Sequence, residues 1–106
     1  MCGIFGIAGN NNVSKKLLSG LQRLEYRGYD SSGIATIHEG EIRCEKSQGK
    51  INKLEDKLAN SLLPGVIGIA HTRWATHGPA SERNAHPHFN ENFAVVKPTK
   101  LEAINI

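Results

Sequence analysis

The chain has 106 residues, 39% of them hydrophobic and 22% charged, with a formal net charge of +3 from 13 basic and 10 acidic residues. That length supports one domain; no apolar run nears the ~20 residues of a membrane helix, and no basic segment leads into an apolar one as in a secretory precursor. Lys15-Lys16 is the only adjacent basic pair, which argues against a nucleic-acid face, and two cysteines, Cys2 and Cys44, are too few for a disulfide framework and suit a reducing, cytoplasmic setting.

The first block, Cys2 to Gly9, is apolar and rich in glycine, and reads as a buried strand at the very start of the chain. Asn10-Asn11-Asn12 marks a turn. Val13, Leu17, Leu18, Leu21 and Leu24 recur at helical spacing, predicting a helix from about Ser14 to Glu25 that Gly28 can stop. Ser32 to His38 and Glu41 to Ser47 flank Glu39-Gly40, the pattern of a hairpin with a two-residue turn. Ile51, Leu54, Leu58 and Leu62 predict a second amphipathic helix, ended by Pro64-Gly65. Val66 to Thr72 is a further strand, Gly78 to Asn92 a long irregular loop, and Phe93 to Val96 a short strand limited by Pro98. Helices lie apart from antiparallel strands in this order, which indicates α+β or layered αββα architecture.

Three blocks carry residues suited to chemistry. Once Met1 is removed, Cys2 presents a thiol and a free α-amine on one residue, a nucleophile beside its own base. Read by its position alone, Cys2 fits better as an ordinary small buried side chain of a strand. The run Gly68 to Gly78 passes from an apolar strand into a polar turn holding Arg73, Trp74, Thr76 and His77. The Arg73 guanidinium can grip a carboxylate with two parallel hydrogen bonds; a structural ion pair for Arg73, a core place for Trp74 and a satisfied loop role for His77 remain open alternatives. The third block, Arg23 to Ala35, packs Tyr, Arg, Asp and Gly between a helix and a strand.

In order and spacing, Met-Cys-Gly-Ile, Leu-Glu-Tyr-Arg-Gly-Tyr-Asp-Ser-Ser-Gly-Ile-Ala, Ala-His-Thr-Arg-Trp-Ala-Thr-His-Gly and Asn-Ala-His-Pro-His resemble the class II glutaminase domain of the isomerising glutamine–fructose-6-phosphate aminotransferases. The resemblance covers residues 1–96 and leaves residues 97–106 as a divergent tail. It implies an N-terminal nucleophile hydrolase fold, two antiparallel sheets sandwiched between helices, here incomplete at the C-terminus. It also implies that Cys2 attacks the side-chain amide of glutamine to give a γ-glutamyl thioester and ammonia. Arg73 would hold the α-carboxylate, with Thr76 and His77 in the same pocket. Arg27 would order the segment over the nucleophile, and Tyr29 and Trp74 would shield the ammonia on its way to a sugar site in an isomerase half. Neither a cofactor nor a metal is implied. The implied partners are glutamine, and a separate isomerase half or further copies of the chain.

One departure stands out. The family follows Ala-Val-Val with His-Asn-Gly, whose Asn and Gly serve the oxyanion hole; here Ala94-Val95-Val96 leads into Lys97-Pro98-Thr99, and Pro98 has no N–H to donate. The expectation is therefore a truncated or frame-shifted glutaminase portion, with a catalytically inactive remnant as the alternative. Other class II amidotransferases share only part of the pattern. A metal-binding module built on Cys44, His71, His77, His86 and His88 lacks the two paired clusters usual for structural zinc.

Overall fold

A computed structural model of the chain describes residues 2–60, 63–74, 79–92 and 94–96, and of Arg27 and Val95 only the backbone. Strand β1 (Gly3–Ala8) is followed by helix α1 (Ser14–Arg23), a 3-10 turn (Glu25–Arg27), strands β2 (Ser31–His38) and β3 (Glu41–Gln48), helix α2 (Ile51–Asn60) and strand β4 (Ile67–Arg73). Two short strands, β5 (His88–Phe89) and β6 (Ala94–Val95), complete the described elements. Leu62 of the predicted second helix, Phe93 of the predicted last strand and the divergent tail lie outside the described residues.

The first four strands form an antiparallel sheet in the order β1-β4-β2-β3. The β2–β3 turn is tight because Glu39 and Gly40 both take positive φ, 51° and 79°, the geometry whose twist matches the flanking strands. Helix α1 ends two residues before the predicted Glu25. The Leu24 N–H bonds to the Leu21 carbonyl at 2.9 Å, tightening the chain into the 3-10 turn, and Gly28 at φ 81° ends that turn.

Both helices cover one face of the sheet. Leu17 and Leu21 of α1 and Ile51, Leu54 and Leu58 of α2 meet Ile34 of β2 and Ala70 of β4, with Val13 and Leu63 closing the cluster. The i, i+4 and i, i+3 spacings of these residues place them on the inner stripe of each helix. Burying each large one is worth about 1.5–3 kcal/mol. Gly20 lets α1 approach β1: a Cβ there would lie 2.6 Å from the Phe5 ring.

The segment predicted as an irregular loop crosses the other face. A Cβ on Gly33 would collide with the His86 carbonyl oxygen, and the Cys44 thiol faces the Pro87 carbonyl at 3.9 Å. The loop is not wholly irregular, since His88–Phe89 pairs antiparallel with Ala94–Val95. This two-stranded sheet on the face opposite the helices makes a layered, incomplete αββα arrangement. No helix among the described residues is long and apolar enough to cross a membrane.

Candidate active site

Strand alternation decides which side chains meet. Phe5, Ala70 and Ile34 pack into the helix-side core, so Cys2, Arg73 and Ser31, each three residues away, face the opposite side. The register aligns them. Gly3 pairs with Thr72, which leaves Cys2 and Arg73 at the same end of adjacent strands, and Ser31 pairs with Arg73 on the next strand and with Gln48 beyond it. The N-terminal thiol and the guanidinium singled out in the sequence thus share one row across the sheet.

Two contacts fix the backbone around Cys2. The Gly3 N–H donates to Thr72 Oγ1 at 3.1 Å in a buried setting. A Cβ on Gly3 would lie 2.7 Å from that oxygen and 2.8 Å from Leu24 Cδ1, so only glycine lets the strand sit this close. Cys2 itself is half-buried with a free thiol.

Arg73 is buried, at 3% exposure. Its Nη1 donates to the Pro79 carbonyl at 3.2 Å, and Asn84 Nδ2 donates to the same oxygen at 3.2 Å. The strand end is held further by the Asp30 N–H, which donates to the Arg73 carbonyl at 2.8 Å. Thr76 and His77, expected to line the same pocket, lie outside the described residues.

The residues expected to form a shield fall in two places. Trp74 is 47% exposed, so it is not a core residue, and its ring lies 3.3 Å from where a Cβ on Gly28 would stand. That brings the indole against the connection that carries Arg27 and Tyr29. The Tyr29 hydroxyl, however, is engaged elsewhere: it donates to Glu25 Oε2 at 3.0 Å and accepts from the Ile51 N–H, the first of α2, at 2.9 Å. Burial, followed in smaller measure by Glu25, keeps the phenol protonated above its usual range, against the backbone donor of Ile51.

Further along the same face, His71, His86 and His88 are all buried. The first two rings stack at 4.1 Å and 16°, and the third tilts against the second at 4.6 Å. Face-to-face imidazoles cannot aim their nitrogens at one ion. No group of three or more His, Cys, Asp or Glu among the described residues is arranged to hold a metal.

Three residues near this row lie within the motif blocks but carry no role in the sequence reading. Thr72 reads as one more strand residue, yet it anchors the backbone beside Cys2. Ser31 and Ser32 are fully buried, and neither hydroxyl has a hydrogen-bond partner among the described residues. A buried hydroxyl left in that state costs about 1–3 kcal/mol.

Set against known proteins, the chain matches no family model. It is 59% identical over 96 residues to a glutamine–fructose-6-phosphate aminotransferase (isomerising) of Rhizobium meliloti (strain 1021), which covers 91% of this chain and 16% of that protein. The like-named proteins of Bartonella quintana and Brucella suis are each 58% identical over the same coverage. The chain belongs to the family of these aminotransferases, through their N-terminal region. It spans about a sixth of their length, 16%. Among solved structures, glutamine phosphoribosylpyrophosphate amidotransferase from B. subtilis, complexed with ADP and GMP, superposes with a TM-score of 0.71 and 26% identity, covering 89% of this chain and 20% of its own. The structure of the allosteric regulatory enzyme of purine biosynthesis gives 0.70 and 29%, covering 82% and 18%. The fold of this chain is thus of the N-terminal nucleophile amidotransferase type.

Proposed function

We propose that residues 1–96 are the glutaminase portion of a glucosamine-6-phosphate-forming aminotransferase, acting in the cytoplasm to release ammonia from glutamine. The observation that carries this reading is the row in which Cys2 and Arg73 end adjacent strands, in a chain 59% identical to such an enzyme. With Met1 removed, the α-amine of Cys2 takes the thiol proton and the thiolate attacks the amide carbon of glutamine. The C–N bond breaks, ammonia leaves with a proton, and water then cleaves the thioester to glutamate. Arg73 fixes the α-carboxylate, and Thr76 and His77 complete the pocket. Trp74 and Arg27 keep water from the ammonia as it passes to a sugar-phosphate site, on a separate isomerase half or within an assembly of copies. Tyr29 belongs to that shield through the turn it braces.

The sequence Lys97-Pro98-Thr99 supports a second reading, that the chain retains the binding face but little turnover. Loss of one oxyanion donor costs ~10²–10³ in rate. The experiment is to confirm Met1 removal by mass spectrometry and treat the chain with an electrophilic glutamine analogue, then measure glutamate and ammonia release. Labelling of Cys2 that glutamate competes away supports the glutaminase reading. If neither labelling nor protection occurs in a Met1-free chain, that reading fails. Turnover within about tenfold of a full-length relative would remove the second reading.

A further inference from the structure

Ser31 is fully buried at the start of the inner strand β2, in register with Arg73, and its Oγ has no hydrogen-bond partner among the described residues. Such groups are rare in folded proteins and need a reason. The strand does not supply one, because Val or Thr would suit the position better. Its neighbours in the row do. A guanidinium offers only donors, while a carboxylate has about four acceptor sites, more than the Arg73 fork can fill, the more so as Nη1 already serves the Pro79 carbonyl.

We propose that the Ser31 hydroxyl donates to the α-carboxylate of bound glutamine or glutamate, as a second binding residue beside Arg73. This rests on the glutaminase reading above. The spacing fits. Strands lie about 4.8 Å apart, so Ser31 and Cys2, two strands apart, are separated by roughly 10 Å. The backbone of glutamine spans about 5 Å from carboxylate carbon to amide carbon, and a hydrogen bond at one end and a near-attack contact at the other add about 3 Å each. A slightly bent glutamine anchored between Arg73 and Ser31 therefore brings its amide to the Cys2 thiol. A ligand carboxylate accepts the proton of that otherwise unpaired hydroxyl.

The test compares the Met1-free chain with its Ser31→Ala variant by calorimetric titration with L-glutamate and by melting without ligand. The expected result is glutamate affinity weakened about 5- to 50-fold, with the ligand-free melting temperature unchanged or raised because an unsatisfied group has gone. A purely structural serine would do the reverse. Affinity within twofold of the parent chain overturns the proposal and leaves the glutaminase reading standing. So does a variant whose ligand-free melting temperature falls, since its hydroxyl then has a protein partner. A parent chain that neither binds glutamate nor is labelled at Cys2 overturns the glutaminase reading, and this proposal with it.

Discussion

Cys2 and Cys44 are both free thiols, and their surroundings separate them. Burial, with a lesser push from Glu45, raises the Cys44 thiol to about 12, and Lys46 opposes this only in part. At pH 8 about one Cys44 in ten thousand is then a thiolate, the form that reacts. Iodoacetamide at that pH should modify Cys2 and spare Cys44 until denaturant opens the fold, and peptide mapping reads both sites. Cys44 modified as fast as Cys2 in the folded chain would contradict its burial. The same raised value carries a sign for stability. The neutral thiol favours the folded state fully below the unfolded pKa near 9.0, and the benefit is lost as pH climbs from there towards 12. Thr72 acts on Cys2 through the backbone, so Thr72→Val, which keeps the shape and deletes the acceptor, should orphan the Gly3 N–H. The expected loss is about 1–3 kcal/mol of stability, together with slower labelling of Cys2, against unchanged iodoacetamide protection of Cys44. Cys2 and Arg73 were legible in the sequence because their residue types, a thiol behind Met1 and a guanidinium at a strand end, have distinctive chemistry. Thr72 and Ser31 were not, because a hydroxyl on a strand acquires its meaning only from a register that pairs residues about 40 to 70 positions apart.

At the scale of elements, the helices were legible from apolar residues repeating at helical spacing, and the main strands from apolar or hairpin-patterned runs of six to eight residues. Strand β6 falls within the strand predicted at Phe93–Val96, but its partner β5 was not legible, since two residues leave no period to read. What holds that region is a close approach rather than a pattern. Gly33 admits the His86 carbonyl to the sheet surface, and His86 in turn stacks on His71. Gly33→Ala should lift the 84–88 segment off β2 and destabilise the chain by about 1–3 kcal/mol, with hydrogen exchange rising first around residues 84–88. Exchange left unchanged there would mean that the segment is seated by other contacts. Tyr29 is a second tie across elements. Its hydroxyl joins the Glu25 carboxylate of the 3-10 turn to the first N–H of α2, a link the sequence could not reveal because Tyr29 and Ile51 lie 22 residues apart. Tyr29→Phe should cost about 0.5–1.5 kcal/mol, seen as a lower melting temperature with faster amide exchange at Ile51. A purely shielding role would leave both unchanged.

At the scale of the whole molecule, the two ends of the non-helical sheet face differ. One end carries the polar row of Cys2, Arg73 and Ser31. The other carries Ile42, Ile37 and Ile67, paired across three strands, with Ile37 48% and Ile67 50% exposed. Ala94 of β6 reaches this end and, with Ala35 and Ile69, leaves a cleft of about 130 Å³. Ile4, at 44%, and Phe89, at 41%, add to the apolar surface. Adjacent exposed isoleucines on a sheet are the kind of patch that associates with other surfaces or aggregates. The chain should therefore enhance the fluorescence of a hydrophobic dye and sediment as more than a monomer at high concentration. Replacing both Ile37 and Ile67 by Thr keeps the β-branched shape the strands favour and changes stability by no more than about 1 kcal/mol, but it should suppress dye binding and shift the chain towards monomer. The substitutions are far from the Cys2 row, so glutamate protection of Cys2 should persist in the double variant. A parent chain that stays monomeric and dye-silent at several hundred micromolar would show that this face is covered, and the pair would then be expected to destabilise the fold rather than free it from association.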